Sequence, residues 1–273
     1  NNNTKVILKI IKLRQQRAEL LGYKSYADFI LEERMATSVL NVKKFLDDLS
    51  KKALPVAKKE WKIMSEFAKK ELDLDELEKW DTAFVAEKLK EKELKLDEQE
   101  LKPYFPLDSV LNGLFKIADL LYEIEFKKNS EIDVYHEDVK VFEVYRKGKF
   151  YALFYADFFP RAGKRNGAWM TSYRSQNKNQ RPHISIVCNF TKPTEKKPSL
   201  LTFQEVTTLF HEFGHSIHGI LANTNYRSLS GTNVLWDFVE LPSQIMENWC
   251  YQKEAITIFS KHFKTNKSLP NEY

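Results

Sequence analysis

Thr202-Phe-Gln-Glu-Val-Thr-Thr-Leu-Phe-His-Glu-Phe-Gly-His-Ser-Ile-His-Gly-Ile-Leu221 reads as one amphipathic helix with His211 and His215 a turn apart. Its start is marked by Thr202-Phe-Gln-Glu205, the Ser/Thr-x-x-Glu pattern of a capping box. Val206, Leu209, Phe210, Phe213, Ile217, Ile220 and Leu221 form an apolar stripe. The histidines fall on a different face, with Thr207 and Gly214. Residues four apart on a helix share a face, so both imidazoles can reach one metal ion. Glu212 sits beside them, where a carboxylate can hold a water on that metal. Two unrelated surface histidines are the competing reading. The capped helix and the downstream sequence weigh against it.

Catalytic zinc commonly takes three protein ligands plus water, so a third donor is needed. His218 lies on roughly the same face, but the metzincin pattern requires Gly at 218 and His at 221, and the chain has His218 and Leu221. His218 is expected to pack or hydrogen-bond near the site. A carboxylate from a second helix remains, and Asp237-Phe-Val-Glu-Leu-Pro-Ser-Gln-Ile-Met-Glu-Asn-Trp249 supplies it. Glu240 is flanked by Phe238, Val239 and Leu241, which predicts burial. A buried carboxylate stays charged only beside a cation or metal. Pro242 is tolerated near a helix start, so Glu240 belongs in or near the first turn. Asp237 is the alternative donor but reads better as an N-cap. A partly buried salt bridge is the competing role for Glu240. Gln244 and Glu247 share its helix face and suit either ligand-orienting or plainly solvated roles.

Around this centre the 273-residue chain divides into three regions. Residues 1–133 are mostly helical, with Lys/Glu-rich sequence and apolar residues at helical spacing from Thr4 to about Leu101. Pro55 interrupts that region, and the paired prolines of Lys102-Pro-Tyr-Phe-Pro106 break it before a helix over Val110–Glu125. Residues 134–199 are β-rich. Val139–Tyr145 and Phe150–Tyr155 form a hairpin through Arg146-Lys-Gly-Lys149, Arg161–Arg181 is a polar loop, and Ile184–Phe190 is a third strand. Phe142, Tyr145, Phe150, Tyr151, Phe154, Phe158 and Phe159 are expected to build core. Residues 200–273 carry the metal-binding helices.

The net charge of +5 comes from mixed signs, which does not argue for nucleic acid. No apolar run approaches the ~20 residues of a membrane span. Cys188 and Cys250 are too few for a disulfide framework, so a reducing, cytoplasmic setting is expected. The Asn1-Asn2-Asn3 start is no signal peptide and lacks an initiator Met, as a fragment would. His136, His183 and His262 have no partner pattern and read as surface or core residues.

His211-Glu-Phe-Gly-His-Ser-Ile-His218, Leu229-Ser-Gly-Thr232, Asp237–Gln244 and Glu247-Asn-Trp249 occur in the order and spacing of a known family. So do Trp80-Asp81, Lys102–Pro106, Leu153-Phe-Tyr-Ala-Asp157, Gly167-Ala-Trp-Met170 and Cys188-Asn189. Together they resemble the thimet oligopeptidase and peptidyl-dipeptidase family of zinc metallopeptidases. The resemblance implies a mainly α fold, a small β-sheet lining a deep channel, one zinc per chain and cleavage of short peptides. It implies His211, His215 and Glu240 as ligands and Glu212 as general base. Phe154–Pro160 is more similar to the peptidyl-dipeptidase branch than to the endopeptidase branch. One departure stands out. The family places a glycine-rich loop with His and Tyr after the zinc helices, and this chain reaches Tyr273 without one. The middle of a longer polypeptide, with the metal centre complete and the substrate side incomplete, is therefore expected.

An extended substrate is expected either to add as a strand beside Ile184–Phe190 or to find that segment an ordinary core strand. Short peptides are the expected partners, with no nucleic acid and no membrane; nothing in the sequence sets an oligomeric state. Two rival classes stay open: a catalytically incomplete or non-catalytic relative that holds peptide or metal, and a helical scaffold with an accidental motif. The intact Glu212 argues against the first.

Overall fold

The computed structural model describes residues 2–95 and 98–270. They form two compact units, Asn1–Lys95 with Leu235–Phe238, and Leu96–Val234 with Val239–Tyr273.

The first unit is helical: α1 (Thr4–Leu20), α2 (Tyr26–Leu31), α3 (Val39–Glu71) and α4 (Thr82–Leu94). Serine caps start two of them. Ser25 accepts from the Asp28 N–H and Ser38 from the Asn41 N–H, each satisfying a donor left over at a helix start. Pro55 was expected to interrupt this region, yet α3 runs through it. Residues 51–60 are exposed throughout, so water can serve the carbonyl that loses its partner. The core here is small: Ala68, Leu77 and Val85, with Met64, Phe67, Leu72 and Leu74 against them. Asp237 belongs to this unit and is not the N-cap that its position suggested. Its carboxylate accepts from the Met35 and Ala36 N–H groups, both at 3.0 Å.

The second unit holds α5 (Glu98–Leu101), α6 (Leu107–Tyr122), five strands, α7 (Phe203–Ile220), α8 (Leu241–Glu247) and α9 (Lys253–Phe259). The strands are β1 (Ile124–Lys128), β2 (Lys140–Arg146), β3 (Lys149–Asp157), β4 (Trp169–Arg174) and β5 (His183–Val187), in the order β1-β2-β3-β5-β4. Pairing is antiparallel except between β3 and β5. The predicted β2–β3 hairpin forms. Lys147 and Gly148 both take positive φ, 50° and 73°, the type I′ geometry that matches strand twist.

Two strands escaped the sequence reading. The helix predicted to reach Glu125 stops at Tyr122, where Glu123 turns left-handed (φ 57°) without the usual glycine, and β1 follows. Its alternation of Ile and Phe with charged residues is too short to stand out beside a helix. β4 lies inside the predicted polar loop. It is a half-exposed edge strand, so its outer face need not be apolar.

The core joins α6, α7 and the sheet through phenylalanines. Phe115 stacks on Phe126 at 4.1 Å, and Phe213 of α7 meets Phe154 edge-on at 5.8 Å. Phe142, Phe154, Phe158 and Phe159 are buried as expected, while Phe150 is exposed at the hairpin. The architecture is mainly α with a small mixed sheet.

Candidate metal centre

The capping box at the start of α7 is complete. Thr202 Oγ1 accepts from the Glu205 N–H (3.1 Å), and Glu205 Oε2 accepts from the Thr202 N–H (2.7 Å). Val206, Leu209, Phe210, Phe213, Ile217 and Ile220 are buried. With that stripe fixed on the core, His211 and His215 point along another face. Glu240 is the residue before α8, with Pro242 in the first turn.

Gly214 lets these two helices meet. A Cβ there would lie 2.6 Å from Ser243 Cα and 2.7 Å from the Pro242 carbonyl oxygen. Backbone contact therefore sets the distance between α7 and α8. Across that contact, Glu240 Oε2 stands 3.2 Å from His211 Nε2 and 3.1 Å from His215 Nε2. One donor atom from each of the three lies within 4.8 Å of the others. The side chains of His211, His215 and Glu240 are 27%, 12% and 52% exposed. Glu240 is thus not buried as its apolar neighbours suggested, because its carboxylate faces a cavity rather than the core. Two imidazole nitrogens and a carboxylate oxygen form the donor set of a thermolysin-type catalytic zinc site, so the residues present fit that ion.

The surrounding groups hold these donors in place. Glu247 Oε1 is 2.6 Å from His211 Nδ1. A proton on Nδ1 donated to that carboxylate leaves Nε2 as a free acceptor facing Glu240. Ser243 Oγ donates to Glu240 Oε2 (2.9 Å) and to its carbonyl (2.8 Å). Of the two polar residues past Glu240, Glu247 thus has a partner in the site. Gln244 is exposed, with no side-chain hydrogen bond to the site among the described residues. Glu212 is 7% exposed. Burial raises its pKa, the nearby His211 and a backbone hydrogen bond from Met170 pull it down, and the net direction is upward. Burial lowers the pKa of His215, which favours the neutral imidazole that a metal requires. His218 lies outside the converging trio, and its Nδ1 is buried without a partner among the described residues. His136 and His262 accept backbone N–H groups in local turns.

A cavity of about 440 Å3 opens over the three donors and Glu212. Ala168, Trp169 and Met170 line one side, and Thr232 and Val239 contribute to the rest. Of the two roles left open for Ile184–Phe190, the structure favours the ordinary core strand: β5 is already paired on both edges, by β3 and by β4. The sheet edge beside the cavity is β4. Sequence reasoning gave no anchoring role to the residues that hold its ends. Asn189 Nδ2 donates to the Arg165 and Gly167 carbonyls, at 3.0 and 2.7 Å, just before β4. Just after it, the buried Gln176 bonds Thr224. Short polar residues in loops carry no periodic signal, so only the fold reveals them.

The profile of peptidase family M3 matches residues 1–273. The chain is 41% identical to oligopeptidase A of Escherichia coli over 278 residues, covering 99% of this chain and 41% of that protein. It is 38% identical to dipeptidyl carboxypeptidase of Escherichia coli over 276 residues, covering 100% and 40%. It is 32% identical to saccharolysin of Saccharomyces cerevisiae over 290 residues, covering 98% and 40%. The chain spans about two-fifths of the length of these relatives. With the motif order, the two-helix donor set and a match over the whole of its length, the chain belongs to peptidase family M3.

Proposed function

We propose that this chain carries the metal centre of a zinc peptidase that hydrolyses short oligopeptides, in the manner of an oligopeptidase or a peptidyl-dipeptidase. The observation behind it is the convergence of His211, His215 and Glu240 beside the buried carboxylate of Glu212. Those three residues would hold one zinc ion. Zinc supplies a Lewis acid and makes water nucleophilic near neutral pH. Glu247 keeps His211 in the ligating tautomer, and Ser243 fixes the rotamer of Glu240. Glu212 takes a proton from the attacking water and returns it to the leaving amine.

The edge strand β4 offers backbone groups along the cavity, so an extended substrate can pair with it and be held without strict side-chain selection. Among the described residues no helix is long and apolar enough to cross a membrane. A cytoplasmic setting fits the two buried free cysteines and the similarity to a probable cytosolic oligopeptidase A of Arabidopsis thaliana.

Elemental analysis of protein purified without added zinc tests the ligand set. One zinc per chain is expected, with a sharp loss of affinity in His211→Ala. Full zinc retention by that variant would remove His211 from the site. Cleavage of a quenched fluorescent peptide, abolished by a chelator, tests the activity.

A further inference from the structure

The cleft beside the metal centre has two walls that are distant in sequence. One is β4, with Met170 facing the main cavity and Ser172 further along. The other is the loop after α7, which brings Ser230, Gly231 and Thr232 opposite. A narrow side pocket of about 40 Å3 lies between them and shares Met170 and Thr232 with the main cavity. Gln176, just beyond β4, spans the gap. It is 1% exposed, and a buried amide is tolerated only when its polar atoms are bonded. Its Nε2 donates to the Thr224 carbonyl (2.8 Å). Its Oε1 accepts from the Thr224 N–H (2.9 Å), Thr224 Oγ1 (3.2 Å) and Ser230 Oγ (3.3 Å).

Elsewhere the loop is held at scattered points, among them a bond from the Lys178 N–H to the Asn225 carbonyl at 3.4 Å. Arg181 anchors its start, donating to the Ile220 and Ala222 carbonyls at 2.8 and 3.0 Å. Gly231, at φ 58°, presses on α7 so closely that a Cβ would lie 3.0 Å from Gly219 Cα. Between these points the described loop contains a single 3-10 turn, Arg227–Leu229. The Gln176–Ser230 bond is the tie nearest the cleft.

We propose that Gln176 sets the width of the substrate groove by tying its two walls together, and so acts as a positioning residue for peptide binding. This rests on the reading of the site as a peptidase. A tie between walls governs how well an extended chain is gripped. The proton-transfer group Glu212 and the donors of the metal centre lie on other elements.

The test compares the zinc-loaded parent chain with Gln176→Ala, using a quenched fluorescent oligopeptide. KM should rise about tenfold with kcat within about twofold and zinc content unchanged, the pattern of lost uniform binding. Ser230→Ala cuts only the tie to the wall and leaves the Thr224 bonds. It should raise KM a few-fold, and the double variant should be no worse than Gln176→Ala, since both remove the same tie. An unchanged KM in Gln176→Ala, or additive effects in the double variant, overturns the proposal. So does a parallel loss of kcat and zinc. A parent that binds no zinc faults the peptidase reading instead. Amide hydrogen exchange over residues 223–233 then judges the tie alone: faster exchange in both variants supports it, and unchanged exchange overturns it.

Discussion

The longest helix in the molecule and the helix that carries the histidines differ in what they bury. α3 has 33 residues and buries one of them, Ala68. α7 has 18 and buries ten. Phe45, Leu46 and Leu49 of α3 are all more than half exposed, whereas Phe210 and Phe213 of α7 are fully enclosed. Local propensity specifies α3: repeated Lys pairs with Glu and Ala among them, a serine cap, and an i,i+4 pair between Lys62 and Glu66. Tertiary packing specifies α7. Most helical stability in proteins comes from packing, so the shorter helix is the firmer platform. Metal donors need such a platform, because a ligand displaced by an ångström is a ligand lost.

The contrast breaks first, and by the largest factor, at the carboxylates. In the zinc-loaded protein, Glu212→Gln should keep its zinc and lose turnover about 10²- to 10⁴-fold, the usual contribution of a general base. Glu66→Gln, which removes an exposed charge from α3, should leave turnover within about twofold. Near-normal cleavage by Glu212→Gln would take that residue out of the mechanism.

Truncating one side chain in each helix sharpens the comparison. Phe213→Ala should cost about 3–5 kcal/mol in denaturant unfolding, by lost transfer energy and a cavity among Phe115, Phe126 and Phe154. Leu46→Ala, at a side chain 54% exposed, should cost no more than about 0.5 kcal/mol. Equal costs would mean that α3 is packed far better than its surface implies.

The smallest change reverses a sign. At an exposed helical site, Gly→Ala stabilises by roughly 1 kcal/mol. Gly214→Ala should instead destabilise by about 1–3 kcal/mol, because the added methyl meets the backbone of α8 and not a flexible side-chain end. Zinc affinity should fall with it, as Glu240 is pushed away from the histidines. A more stable variant with unchanged zinc binding would show that α8 moves aside without strain.

What the sequence revealed was contiguous. The capping box at Thr202, the apolar stripe of α7, the His211–His215 spacing and the turn at Lys147-Gly148 each sit within a few residues, and each appears as read. The features that were missed depend on distant partners. Asp237 reads as a helix cap until Met35 and Ala36 are seen to donate to it across the chain. Gln176 has no local pattern, and its partner Thr224 is 48 positions away. Glu240 looked buried because its neighbours are apolar, yet it faces a cavity that only the packed helices create. β4 was hidden because an edge strand keeps one side in solvent and needs no continuous apolar run.

α8 and the residue before it meet a single imidazole at both of its nitrogens: Glu240, before the first turn, faces His211 Nε2, and Glu247, the last of the seven helical residues, faces Nδ1. A helix of that length has little tendency to persist on its own. Packing on α7 and the Glu247 bond to His211 Nδ1 hold it in place, and its first turn faces the same ring at Nε2. A bound ion would add one more link between α7 and α8, so stripping it is expected to loosen this short helix before it disturbs α7.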